Sequence, residues 1–320
     1  MKKFIAALLL LAPVTQADVF TTDGTLIENQ IFYSQVSVKA HDVTIRNCEF
    51  YLPPDQTAGW YAVSNVYNDA EGNPRSTNFR LENCIVRGGT TGVYVQHATV
   101  MGCDVQETGK DGFKISTKGH CMIRNNYVAR IGLTVGAHAD ALQMVGGSHV
   151  FIIGNHFDIP VSFADANGYL SNACIILQAH VAPLHDIYIW GNHFEGGSYT
   201  VYIKNKNHPT ITTPDPYRIR MNANTFGYDY RYGLASIDTN PTIQINWNVM
   251  DDGVPLTGGP WPINTWDNWP QWGSLLNRSV GRGGFGCLFF LFIHRSVVNN
   301  VREGCWKVGH NQSKQSCNNC

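Results

Sequence analysis

Two octapeptides decide how this chain is read: Val150-Phe-Ile-Ile-Gly-Asn-His-Phe157 and Ile187-Tyr-Ile-Trp-Gly-Asn-His-Phe194. Both run apolar, any, apolar, any, Gly, Asn, any, apolar. Val43-Thr-Ile-Arg-Asn-Cys-Glu-Phe50 and Phe79-Arg-Leu-Glu-Asn-Cys-Ile-Val86 repeat the phrase with Asn for Gly and Cys for Asn. Weaker copies centre on Asn29, Gly102, Asn125, Ala223 and Trp247, so nine centres succeed one another at intervals of 18, 36, 19, 23, 29, 37, 32 and 24 residues. A repeat of this period is one supersecondary unit per turn. The shortest intervals, 18 and 19 residues, set the smallest complete turn, and the excess elsewhere must be loops.

Stacking the copies produces columns. Two positions before the centre stand Ile27, Ile45, Leu81, Val100, Ile123, Ile152, Ile189, Met221 and Ile245. Three after it stand Phe32, Phe50, Val86, Val105, Val128, Phe157, Phe194, Phe226 and Met250. The position one after the centre reads Gln30, Cys48, Cys84, Cys103, Asn126, Asn155, Asn192, Asn224 and Asn248. Alternation at period two makes the first half of each copy a strand, and a central Gly or Asn suits a bend with positive φ. Five asparagines at one bend predict a ladder, because each amide can donate to one neighbour and accept from the other. Three cysteines fill the same slot as small buried thiols.

From about Phe20 to Met250 these columns resemble the pectin-lyase-like superfamily. The resemblance implies an all-β fold, a single-stranded right-handed parallel β-helix of about nine rungs with an irregular C-terminal tail. Such a rod is on the order of 40 Å long, and each rung buries its apolar face only because neighbours stack on it. The resemblance also implies a secreted polysaccharide lyase or hydrolase whose site lies on the outward face of one parallel sheet.

The 320 residues include 23 basic and 24 acidic side chains, a net charge of −1 and a charged fraction of 15%. Charged residues make up about a quarter of an ordinary domain, so this surface is built from Asn, Thr, Ser, Gly and Tyr. That balance excludes nucleic acid or any other polyanion chosen by net charge alone, and such a surface suits strands and carbohydrate. With 31 Gly and 14 Pro, helix bundles are disfavoured, and nine Cys cannot all pair within the chain. Met1-Lys2-Lys3, the apolar run Phe4 to Ala12 and Thr15-Gln16-Ala17 read as a signal peptide over 1–17. The apolar run is about half the roughly 20 residues that span a bilayer. The mature chain is therefore expected to be secreted or periplasmic without a membrane span. Residues 18–250 form the repeat. Trp261, Trp266, Trp269 and Trp272 mark 251–278 as a cap or sugar platform, and 279–320 is a tail with Cys287, Cys305, Cys317 and Cys320. No feature of the repeat sets an oligomeric state.

After most bends comes a second alternating segment: Val93-Tyr-Val95, Phe113-Lys-Ile115, Leu142-Gln-Met144, Val201-Tyr-Ile203 and Leu234-Ala-Ser-Ile237. With the flanking apolar residues inward, Tyr94, Lys114, Gln143 and Tyr202 face outward. The Cys174-Ile-Ile-Leu177 rung can be registered two ways. Ala129 to Ala139 and Asp158 to Ser171 precede this strand, while Asn65 to Asn78, Ala179 to Asp186 and Asn205 to Pro216 come after it. Loops on both flanks predict a walled groove.

Asp111-Gly-Phe-Lys114 aligns with Asp140-Ala-Leu-Gln143, which places Asp111 under Asp140 about 5 Å away. Paired aspartates at that spacing can hold Ca²⁺, act as acid and nucleophile in a retaining glycosidase, or tune Lys114 as a base. Each can also simply open its strand with an Asx-type turn. A β-eliminating lyase needs a base for the proton α to a uronate carboxyl and a group that stabilises the enolate-like charge. Lys114 or His138 can be that base, and Gln143, a neighbouring lysine such as Lys204 or a bound Ca²⁺ can meet the carboxylate. Lys110, Lys114, Lys118, Arg124 and Arg130 make the 110–130 segment basic. Tyr94, Tyr202 and Trp60 can stack on sugar rings, and His180 can enter the groove. The expected partner is a polysaccharide and the expected cofactor is none or Ca²⁺.

The polygalacturonase pattern of Asn-Thr-Asp, Asp-Asp on a strand, Gly-His-Gly and Arg-Ile-Lys is absent, and Asp251-Asp252 lies beyond the last clear rung. A pectate-lyase-like arginine base is not recognisable, so lysine-based lyases are nearer. His156 and His193 share one outward position on consecutive rungs of another strand, but two histidines without a third ligand make a poor metal site. A non-catalytic carbohydrate-binding or adhesive rod remains a second class, and a hydrolase using Asp111 and Asp140 a third.

Overall fold

A computed structural model describes residues 17–54, 60–166, 168, 171–204, 213–237 and 242–256. The signal peptide apart from Ala17, the four clustered tryptophans and the 279–320 tail lie outside the described residues. Within them, three sheets of nine strands each span Asp18 to Met250, and each strand pairs in parallel with its counterpart on the next turn of the chain. Rung one comprises Asp18–Phe20, Leu26–Glu28 and Ile31–Phe32, one strand in each sheet. Rung nine comprises Gly233–Ile237, Ile243–Asn246 and Val249–Met250. The fold is a right-handed parallel β-helix. Among the described residues the only α-helix is Val161–Ala166, and no helix is long and apolar enough to cross a membrane.

All nine bend centres have positive φ, between 51° and 66°, including Ala223 and Trp247. This conformation is costly for residues other than glycine, asparagine least, so the bend is held by the side chain of the next residue. The Nδ2 of Asn126, Asn155, Asn192 and Asn224 donates to the Oδ1 of the next asparagine at 2.9, 3.0, 2.9 and 2.9 Å. The same Oδ1 atoms accept the backbone N–H of the residue one rung below, as Asn192 does from Asn155 at 2.9 Å. Each Nδ2 also reaches the carbonyl two residues before the previous bend, such as Ile152 O from Asn192 at 2.9 Å. Cys84 and Cys103 direct their thiols at the equivalent carbonyls of Ile45 and Leu81. The thiols thus reproduce the asparagine's vertical contact weakly. Cys48, Cys84, Cys103, Cys121 and Cys174 are buried and unpaired.

The apolar columns fill the interior. Phe50, Phe157 and Phe194 are fully buried, and Phe32 on Phe50 and Phe157 on Phe194 stack with centroids 5.0 and 5.5 Å apart. A second left-handed position lies five residues before each of eight bend centres: Gly24, Asp42, Asn78, His97, His120, His149, Asp186 and Arg218. Three of these are histidines on successive rungs, and their rings stack at 4.7 Å each, His97 on His120 on His149. Burial first, then the neighbouring His120 and Lys118 charges, push His97 down to about 4.

Removing one asparagine strands several buried partners at once. Asn192→Ala takes the acceptor from Asn155 N and Nδ2 and the donor from Ile152 O and Asn224 Oδ1. At about 1 kcal/mol or more per stranded buried group, it should cost on the order of 3 kcal/mol in urea unfolding. A loss below about 1 kcal/mol would show that the ladder is not what holds the bend.

Candidate functional site

The strands of the first sheet carry the outward column Ser64, Tyr94, Lys114, Gln143, Ile176, Tyr202 and Ser236. The expected register of Tyr94, Lys114, Gln143 and Tyr202 is therefore observed, and the ambiguous rung resolves with Ile176 outward. From Tyr94 to Tyr202 the column climbs four rungs, about 19 Å. Loops join this sheet to the neighbouring sheets on both flanks, residues 130–138 on one side, where the Val161–Ala166 helix also lies, and residues 65–78 and 179–183 on the other. The 65–78 loop is pinned by a buried network. Asn65 Nδ2 donates to Gln96 O at 2.7 Å, Gln96 Nε2 to Tyr67 O and Asn68 Oδ1 at 3.2 Å, and Ser116 Oγ to Gln96 Oε1 at 3.0 Å. On the opposite flank Thr134 Oγ1 donates to Pro54 O at 3.0 Å, tying two loops 80 residues apart in sequence.

Asp111 and Asp140 sit at the head of this face. Gly92, Gly112 and Ala141 stand in register just beyond them, where the chain dips toward the interior. A Cβ on Gly112 would lie 2.5 Å from Val128 Cγ1 and 2.9 Å from Ala141 O. That close approach keeps the preceding carboxylates on the groove side yet almost covered: Asp111 is 5% exposed and Asp140 1%. The Asx-turn alternative is not what forms. Asp111 Oδ1 accepts the backbone N–H of Asp140 on the next rung at 3.1 Å. Asp140 accepts from Gln143 Nε2 at 3.2 Å and from Asn172 Nδ2 at 2.8 Å. Burial pushes Asp111 up to about 6, against the pull of the Asp140 N–H, Lys114 and Lys110. Burial first, and the Asp111 charge second, hold Asp140 well above the usual carboxylate range. Burial thus favours the protonated form of both carboxyls.

Calcium takes six to eight oxygen ligands. Here Asp111 Oδ1 and both Asp140 oxygens are engaged by amide N–H donors inside a nearly closed site, so the residues present do not suit that ion.

Lys114 is half-buried, its Nζ 5.9 Å from the Tyr94 ring centroid. Tyr61 packs on Tyr94 with centroids 4.7 Å apart. Farther along, Tyr199 joins Tyr202 at 5.1 Å and Tyr232 at 5.7 Å, and Tyr232 is 67% exposed. Trp60 is exposed immediately before the Tyr61–Ser64 strand, its backbone N donating to Thr90 Oγ1 at 3.1 Å. Lys204 pairs with Gln178 at the strand end beyond Tyr202. His180 is half-buried with Nδ1 enclosed and unpartnered. His138 is exposed on the loop before the Ala139–Met144 strand, and the hydrogen bonds of Asp140 go to Gln143 and Asn172 instead.

Sequence reasoning missed Tyr61, Asn172, Tyr199 and Tyr232. Tyr61 was findable, since it stands in register with Thr91 at the column position of Asp111. Asn172 was not, because the register shifts between Ala139 and Asp140.

No protein-family model matches the chain, and no curated protein matches it. Among solved structures it is similar to PfbA, a surface adhesin of Streptococcus pneumoniae, at 12% identity and TM-score 0.45, covering 73% of this chain and 60% of that one. It is also similar to the catalytic domain of a GH87 α-1,3-glucanase, at 11% identity and TM-score 0.29, covering 77% and 64%. A third likeness is to the PL6 family alginate lyase AlyGC, at 9% identity and TM-score 0.24, covering 76% and 49%. The chain thus spans about 60% of the length of the adhesin structure. None of these likenesses bears on the site.

A buried carboxyl with a raised folded pKa is stabilised in its protonated form. Its contribution is present below the unfolded value and lost as pH rises through the folded one. For Asp111 that window runs from 3.8 to about 6, and for Asp140 it extends higher. Asp140→Asn should therefore melt higher than wild type at pH 8, by roughly 2–4 °C for each kcal/mol relieved, with the gap closing toward about pH 4. Comparing variant with wild type cancels the histidine stack, whose pKa shifts run the opposite way. A gap independent of pH would mean that Asp140 is not held protonated by burial.

Proposed function

We propose that the protein is an exported polysaccharide lyase that cleaves an acidic glycan by β-elimination in the groove over the first sheet. The observation that carries this reading is the placement of Lys114. Among the described residues it is the one cation of the outward column, set between Tyr94 and Gln143 with the buried Asp111 beneath it. Aromatic rings at Tyr61, Tyr94, Tyr199, Tyr202 and Tyr232 provide faces for sugar rings above and below that point. Burial, which favours the neutral form of Asp140, lessens its repulsion toward a uronate.

In the reaction so read, the neutral Lys114 amine takes the proton from the carbon bearing the uronate carboxyl. The C–H electrons form the carbon–carbon double bond as the glycosidic C–O bond at the β position breaks. The leaving oxygen takes a proton from water. The Gln143 amide, one rung above Lys114, meets the carboxylate as charge builds on it. Lys114 and Asp111 act on each other as opposite charges on one rung, and Asn172 and Gln143 hold Asp140.

A hydrolase reading has one observation in its favour, the pairing of Asp111 and Asp140 one rung apart with both carboxyls raised by burial. Their burial weighs against it, since an acid must reach the glycosidic oxygen. A polysaccharide panel read by reducing ends and by ultraviolet absorbance of unsaturated products separates the classes. New reducing ends without absorbance would sink the lyase reading, and binding without cleavage of any polymer would favour the adhesive rod. Lys114→Ala should lower turnover by about 10²–10⁴-fold with binding kept within a few fold. Tyr94→Ala and Tyr202→Ala should raise KM by about 2- to 10-fold, the loss of one stacking contact each.

A further inference from the structure

A second constellation lies on the third sheet, on a different face of the rod from the groove. Its outward columns are read from the registers His156↔His193↔Thr225↔Val249 and Asp158↔Glu195. Phe194↔Phe226↔Met250 places Gly227 above Glu195 and Asp251 above Gly227. Rung seven therefore supplies His193 and Glu195, the turn after rung nine supplies Asp251, and rung eight between them offers only Thr225 and Gly227.

Gly227 explains how the three meet. Its φ is not in the left-handed region, so no backbone demand requires glycine there. A Cβ at this position would lie 1.4 Å from Glu195 Oε2. The missing side chain is the space that the Glu195 carboxylate occupies. Its other oxygen, Oε1, accepts the Asp229 N–H at 2.8 Å, which fixes the group over the gap. His193 reaches across the same rung to place Nε2 2.8 Å from Asp251 Oδ1. One ligand atom from each of His193, Glu195 and Asp251 lies within 4.8 Å of the others. His193 Nδ1 is enclosed without a hydrogen-bond partner, and the His156 ring packs edge-on against His193 at 4.4 Å.

The charges do not balance by themselves. Glu195 and Asp251 bring two carboxylates to a single imidazole, His193. One imidazole nitrogen with two carboxylates is a donor set for a first-row divalent ion, with remaining positions for water. An all-oxygen site would instead suit Ca²⁺ or Mg²⁺. We propose that His193, Glu195 and Asp251 bind a first-row divalent cation such as Zn²⁺, which cross-links rung seven to the turn that closes rung nine. This site is independent of the groove reading and stands or falls apart from it.

The test uses the full chain stripped with chelator and titrated with Zn²⁺ by calorimetry, then with Co²⁺ for its visible spectrum. Glu195→Gln and Asp251→Asn keep size and fold, verified by circular dichroism. Wild type should bind one equivalent that both variants lose, with affinity for that equivalent falling at least about 10-fold in each. It should also gain several degrees in Tm with Zn²⁺, as any ligand bound only by the folded state confers, and gain little with Ca²⁺. The Co²⁺ bands of this equivalent should lack thiolate charge transfer, which would instead mark the C-terminal cysteines. Equal stoichiometry and affinity in wild type and both variants would overturn the proposal, as would an absence of stoichiometric binding. A Tm gain that survives in Asp251→Asn would overturn the cross-link.

Discussion

The stacked asparagine amides at the bend between the second and third sheets are the interaction on which the rest depends. A parallel sheet satisfies its own backbone by pairing with the rung above and below, but a bend interrupts that pairing at every turn. The Asn126–Asn248 column restores it with side chains: Asn126 Oδ1 accepts the Cys103 N–H, and from Asn155 to Asn248 each Oδ1 accepts both an amide and a backbone N–H from the previous rung. Because each amide spans one rung, the ladder locks neighbouring rungs into a single register. Where cysteines replace asparagines, the donor–acceptor chain stops and a thiol-to-carbonyl contact remains. Those rungs lean more on the apolar columns of Ile45, Leu81, Phe50 and Val86, all with no measurable exposure.

A fixed register turns every outward position into a column, and columns are how this molecule assembles chemistry. Asp111 under Asp140 and Lys114 under Gln143 arise from the same vertical correspondence that stacks Phe157 on Phe194. The asparagine column buries polar groups by completing their hydrogen bonds, whereas the Asp111–Asp140 pair keeps two ionisable groups in nearly closed surroundings. Burying carboxylates without an adjacent full counter-charge costs stability, and such cost is commonly retained where activity needs it. The same vertical logic puts three imidazoles at the left-handed positions of successive rungs, His97, His120 and His149, where ring stacking replaces the amide ladder.

The nine bends were legible because their chemistry is uniform: Asn or Gly at most centres, with apolar residues at fixed offsets. The second left-handed column five residues earlier was hidden by mixed chemistry, since Gly, Asp, Asn, His and Arg all occupy it. Rung seven resisted reading because Cys174-Ile-Ile-Leu177 has no alternation, and Ile176 faces outward although it is only 7% exposed. The groove column of Tyr94, Lys114, Gln143 and Tyr202 was readable from period-two alternation alone. Asn172 and Tyr199 belong to strand beginnings ahead of the alternating core, where a register shift or a loop obscures the count.

His156 and His193 show the limit of pairwise reading. Two outward histidines one rung apart lack a third donor only as long as neighbours are sought on adjacent rungs. The donors that join His193 come from the next outward position, Glu195, and from two rungs away, Asp251, and they converge only because rung eight has no side chain at Gly227. In a solenoid an absent side chain is thus as informative as a present one. A glycine without positive φ, in an outward column between two carboxylates, marks a place where groups from non-adjacent rungs converge. The first-sheet glycines Gly92 and Gly112 obey the same rule in the opposite direction: they let the backbone approach the interior and thereby set the depth at which Asp111 and Asp140 lie.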